Sequence, residues 1–107
     1  MAVEDLTDES FAERIAAARW AVVDFHAAWC GPCLMFKPKF KRISSDYPEV
    51  AFYTVDGETA PAARKTVQID NLPFFGFYRN GQFVEGISTA TEEGFRRFVD
   101  RNLGGTS

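Results

Sequence analysis

Two cysteines stand three positions apart in Trp29-Cys30-Gly31-Pro32-Cys33, and the 107-residue chain has no others. A disulfide closing so short a loop constrains the unfolded chain little. In a reducing compartment this spacing points to redox catalysis or to metal binding. The species that attacks a disulfide is a thiolate. A helix N-terminus, with its unpaired N–H groups and the positive end of the macrodipole, stabilises that charge and lowers the thiol pKa. Pro32 suits a first helical turn, where its missing N–H would be unpaired anyway. Gly31 lets the chain turn closely and leaves the first sulfur accessible. The two-residue spacer returns Cys33 within one turn, able to attack a mixed disulfide formed at Cys30. Zinc would want four ligands. The two thiols and His26, the single histidine, fall short of that, so a metal site would require two chains. The expectation is no metal and no bound cofactor, the reactive group being the Cys30–Cys33 disulfide itself.

Two other residues could take part. Asp24 lies inside Val22-Val23-Asp24-Phe25, an expensive place for a carboxylate if that strand is buried. Desolvation should raise its pKa towards neutrality, the range useful to a general base. The alternative is a strand-edge residue, hydrogen-bonded and idle. His26, two residues on, is a candidate modulator. A partly protonated imidazole near the sulfurs would stabilise the Cys30 thiolate and make the disulfide more oxidising. Its plainer reading is a polar residue ending a strand.

Positioning these groups takes an alternation of strands and helices. Residues 2–6 suggest a short edge strand. Thr7 or Asp8 can cap a helix over 8–18. The Val- and Phe-dense run 21–26 reads as a buried strand. Phe36, Phe40, Ile43 and Tyr47 recur on one helical face after the cysteines. A strand at 50–55 and a short helix at 61–67 follow. Strands at 74–78 and 82–87 flank Asn80-Gly81, the strongest short hairpin signal. Thr91 then caps a last helix with Glu92 and Glu93 in its first turn. The order β-α-β-α-β-α-β-β-α predicts an α/β fold, a central mixed sheet of four to five strands with helices on both faces.

Composition limits the function classes. The chain is 46% apolar with eleven phenylalanines, which suits one globular domain over residues 1–107 with a packed aromatic core and a disordered tail at 104–107. No run approaches the roughly 18 apolar residues of a membrane span. The net charge of −3 argues against nucleic acid as a partner. The Arg96, Arg97 and Arg101 cluster is assigned to helix-dipole and solubility roles. An acidic start without signal-peptide features gives a cytoplasmic expectation. The lack of an exposed heptad gives a monomeric one.

Val23-Asp24-Phe25, Trp29-Cys30-Gly31-Pro32-Cys33, Pro38, Leu72-Pro73, Asn80-Gly81 and Gly86 together resemble the thioredoxin family, over about Leu6 to Leu103. The resemblance implies the thioredoxin fold and a general protein-disulfide reductase, recharged by a flavin- and NADPH-dependent thioredoxin reductase and acting on disulfide-containing proteins. It further implies that Cys30 is the exposed nucleophile and Cys33 the buried resolving thiol. Asp24 would accept and return the Cys33 proton. Pro73 would be a cis-proline facing the disulfide, with Trp29, Leu72, Pro73 and Gly86 forming the substrate surface.

Several positions depart from the family pattern. His26 stands where an aromatic is common, Leu34 where a lysine is common, and Asn71 where a glycine is frequent. Asn71 can still tolerate positive φ. Phe52 occupies the usual place of a lysine on the neighbouring strand, which should leave the Asp24 pKa higher still. Phe74 and Phe75 follow Pro73 where threonine is usual. With Trp29, Leu34 and Leu72 these changes suggest an enlarged apolar patch around Cys30, unless Phe74 turns into the core. The competing functions are a thiol oxidant or isomerase, a target-specific relative, and a non-enzymatic binding module.

Overall fold

The structure, a computed structural model, describes residues 3–104. Its elements are β1 (Glu4–Leu6), α1 (Phe11–Ala17), β2 (Trp20–His26), α2 (Gly31–Ser44), β3 (Ala51–Asp56), α3 (Pro61–Arg64), β4 (Phe74–Arg79), β5 (Gln82–Ser88) and α4 (Glu92–Gly104). The five strands form one sheet in the order β1-β3-β2-β4-β5. β1, β3 and β2 run parallel, while β4 runs antiparallel to both β2 and β5. β2 is therefore an inner strand, covered on both faces, and its near-continuous apolar run follows from that position.

Strand alternation sorts the aromatic residues into two cores. Val23, Phe25, Phe74 and Tyr78 pack with Phe11 and Ile15 of α1. Val22, Phe52, Phe75 and Phe77 pack with Phe36 and Phe40 of α2 and Phe95 and Phe98 of α4. Phe83, on edge strand β5, is the one phenylalanine left exposed. Asn80 and Gly81 both take positive φ, at 51° and 83°, as the tight β4–β5 turn requires.

Helix boundaries differ from the sequence expectation in instructive ways. α1 begins three residues late because Asp8 is engaged elsewhere: its carboxylate accepts the Ala63 N–H at 2.9 Å, capping α3 from a distance. Thr7 and Ser10 instead close a reciprocal turn ahead of α1, each side-chain oxygen accepting the other's backbone N–H. α3 stops at Arg64, short of the expected 67. Tyr47 lies beyond the end of α2, yet its ring stacks on Phe52 and its hydroxyl donates to Asp100 at 2.7 Å. Thr91 does cap α4, accepting the Gly94 N–H at 3.1 Å. α4 includes Gly104; residue 2 and the tail residues 105–107 lie outside the described residues. Among the described residues no helix is long and apolar enough to cross a membrane.

Candidate active site

The reactive pair sits where β2 hands over to α2, at the end of the sheet. Cys30 is the N-cap residue of α2, with extended backbone, and its Sγ accepts the Cys33 N–H at 3.2 Å. Cys30 and Cys33 are joined as a disulfide with Cα atoms 5.3 Å apart. Sulfur thus occupies the position where helix N–H groups and the macrodipole favour negative charge. Pro32 falls in the first turn, where it removes no hydrogen bond.

The expected contrast in exposure is absent from this oxidised form: Cys30 is 4% and Cys33 3% exposed. The two residues differ instead in what they face. Cys30 lines an open groove of about 590 Å³ with His26, Trp29, Gly31, Pro32 and Leu72. Cys33 lines a smaller cavity of about 190 Å³ with Asp24, His26, Lys37 and Thr54. Trp29 is 73% exposed at the groove rim. Leu72 packs against the cysteines and precedes a cis peptide bond to Pro73.

Asp24 is 2% exposed on the inner strand, and its Oδ1 has no hydrogen-bond partner. A hydrogen-bonded residue at a strand edge would look otherwise. Burial pushes its carboxyl up to about 7, and nearby Lys37 pulls the other way. This corrects the expectation drawn from Phe52. That residue does stand on β3 opposite Val22, its ring in the core, but the positive charge is supplied by α2 through Lys37. Lys37 follows Cys33 by one helical turn, so the i, i+4 spacing carried a signal that sequence reasoning missed.

His26 is the last residue of β2, the position its plainer reading gave it. Burial lowers its pKa, against the opposing pull of Asp56. That shift disfavours the charged imidazole that the modulator reading needs. Phe74 is corrected as well: it is 8% exposed and packs on Phe25 at 6.0 Å. Phe74 and Phe75 point to opposite faces and both join cores, so neither enlarges the apolar patch. Gly86 does not line the groove. A Cβ at Gly86 would overlap the Phe74 ring. Asn71 does not need positive φ, which among the described non-glycine residues belongs to Asn80 alone; its carbonyl accepts from Ser88 at 3.0 Å. The far groove wall comprises Glu58, Arg64, Ile69 and Asp70, drawn from separate segments that no local spacing connects.

The chain matches the Thioredoxin family model over residues 2–101. This chain belongs to the thioredoxin family. Thioredoxin of Ophiophagus hannah is 37% identical over 101 residues, covering 94% of this chain and 96% of that one. Thioredoxin of Mus musculus is 40% identical over 87 residues, covering 79% and 83%. Among solved structures, Plasmodium falciparum thioredoxin superposes with a TM-score of 0.87 at 26% identity, covering 92% of this chain and 97% of that one. Malassezia sympodialis thioredoxin gives 0.85 at 29% identity, covering 94% and 93%. The chain is accordingly a thiol–disulfide oxidoreductase, a general protein-disulfide reductase whose redox-active group is its own Cys30–Cys33 side-chain pair. Disulfide-containing proteins are its partners.

Proposed function

We propose that this chain reduces target disulfides with Cys30 as attacking thiolate, Cys33 as resolving thiol and Asp24 as the carboxylate that moves the Cys33 proton. The observation that carries the assignment is the division of the two cysteines between an open groove at Cys30 and a smaller cavity that Cys33 shares with Asp24. In the reduced form the Cys30 thiolate attacks one target sulfur. The target S–S bond breaks, a target thiolate leaves, and a mixed disulfide forms at Cys30. Cys33 then gives its proton to the Asp24 carboxylate and attacks Cys30 Sγ. The mixed disulfide breaks, the second target sulfur departs and takes a proton, and the Cys30–Cys33 disulfide closes. Two electrons have passed to the target. A carboxyl near 7 is present in both protonation states at neutral pH, as such a shuttle requires.

Trp29, Leu72 and Pro73 form the docking edge for an extended target segment, with Gly31 and Pro32 keeping the turn low beneath it. Gly86 serves that edge indirectly, by seating Phe74. The oxidant or isomerase reading rested on a charged His26, and burial disfavours that form. A binding module would have no use for an intact dithiol above a buried carboxyl. Recharging the dithiol calls for a reductant. We assign this to a flavin- and NADPH-dependent thioredoxin reductase in a reducing compartment, the cytoplasm.

Replacing Cys33 by Ser tests the order of events. Incubated with insulin, C33S should accumulate a mixed disulfide at Cys30, visible as an intact-mass adduct. An adduct trapped equally well by C30S through Cys33 would overturn the assignment.

A further inference from the structure

The helix that begins at the disulfide carries a charge opposite to that of the chain. α2 reads GPCLMFKPKFKRIS, with four cations and no acid, in a protein of net charge −3. Its solvent side consists of two stripes. Leu34, Lys37, Pro38 and Lys41 follow i, i+3, i+4, i+7 spacing, and Met35, Lys39 and Arg42 run alongside. Each stripe is apolar at the disulfide end and basic beyond it. Leu34 is 58% and Met35 72% exposed, and they continue the apolar edge begun by Trp29.

The cations are distributed unevenly with respect to partners. Arg42 pairs with Glu92 across the α2–α4 contact. Lys37, Lys39 and Lys41 make no ion pair among the described residues, whereas five of the chain's arginines do. Lys41 and Arg42 in the last turn also complement the helix dipole, but Lys37 and Lys39 lie too far from the end for that effect. Lys39 and Lys41, without ion-pair partners, thus extend a surface that is apolar at the disulfide end, at Leu34 and Met35, and basic beyond it.

We propose that the outer face of α2 is a docking surface for proteins that present an acidic patch beside the cysteine or disulfide exchanged with Cys30. The proposal rests on Cys30 being the reactive sulfur, and it adds the partner's surface chemistry. The occupant is a protein because the apolar end adjoins the disulfide, so whatever covers it must bring a sulfur to Cys30. Steering by the lysines raises the rate of productive encounter, an effect that salt screens.

Two synthetic hairpin peptides, each closed by one disulfide and differing only in four flanking Glu or four flanking Lys, provide the test. Reduced wild-type protein should react with the Glu peptide about tenfold faster than with the Lys peptide at low salt, the gap closing as salt rises. The K39Q/K41Q double variant should lose most of that gap. Hydroxyethyl disulfide, neutral and too small to span α2, should be reduced at one rate by both proteins. Equal peptide rates in the wild type, with hydroxyethyl disulfide still reduced, would overturn the docking surface while leaving the Cys30 chemistry standing. A slower hydroxyethyl disulfide reaction in the double variant would also overturn it, by assigning these lysines to the chemistry. Sedimentation of wild type but not K39Q/K41Q with phosphatidylserine vesicles would reassign the face to lipid.

Discussion

Replacing Asp24 by Asn should make the oxidised protein more stable, by an amount that grows with pH. Asp24 is 2% exposed in the middle of the sheet, and burial moves its carboxyl from the ordinary 3.8 to about 7. In the unfolded chain the same group titrates near 3.8. Across the interval between those values the folded state holds a proton that the unfolded state has released. Stability therefore falls as pH rises towards 7 and stays low above it. At about 1.4 kcal/mol per pH unit the full penalty is on the order of 4 kcal/mol. Roughly 3 kcal/mol of it develops between about pH 5 and about pH 8.5. Asparagine keeps the size of the side chain and has no charge to bury. His26 works in the other sense: its lowered pKa gives stability that is present above 6.5 and lost on acidification. That contribution is common to both proteins and cancels in their difference. Urea unfolding followed by tryptophan fluorescence at several pH values gives the comparison directly. The advantage of D24N should widen by about 2–3 kcal/mol over this range. A pH-independent difference, or one that narrows as pH rises, would refute the placement of a carboxyl in the core whose burial outweighs the pull of Lys37.

Removing the neighbouring charge should act in a definite direction. In K37M the Asp24 carboxyl should titrate higher than in the wild type, because Lys37 lowers it; a midpoint unmoved or lower by carboxyl infrared titration would contradict that coupling. Gly86→Ala should destabilise the fold by about 1–3 kcal/mol through overpacking, since the new methyl meets the Phe74 ring. Adding Phe74→Leu should recover part of the loss, and thermal unfolding that showed strictly additive effects would sink the explanation.

The chemistry was more legible in the sequence than its surroundings. Trp29-Cys30-Gly31-Pro32-Cys33 encodes its own geometry, because strand, cap and first turn are all local. The alternating faces of β4 were readable for the same reason, as was the turn at Asn80-Gly81. What escaped depended on partners distant in the chain. Whether Phe74 faces solvent or core is decided by Gly86 on the adjacent strand. The start of α1 is decided by Asp8 capping α3. The charge state of His26 follows from burial and from Asp56 and Lys37 on two other elements. Nothing near Cys30 in sequence announces Glu58, Arg64 or Asp70, which the fold brings to the groove.

The central claim is that the Cys30–Cys33 pair drives net reduction, and its reduction potential is the most direct test. Equilibration against dithiothreitol and glutathione buffers, with the two redox forms separated by thiol alkylation, measures it. A value near the family's own, about −270 mV, is the predicted result and fits a His26 whose charged form burial disfavours. A value above about −200 mV would contradict the account and make the protein an oxidant or isomerase.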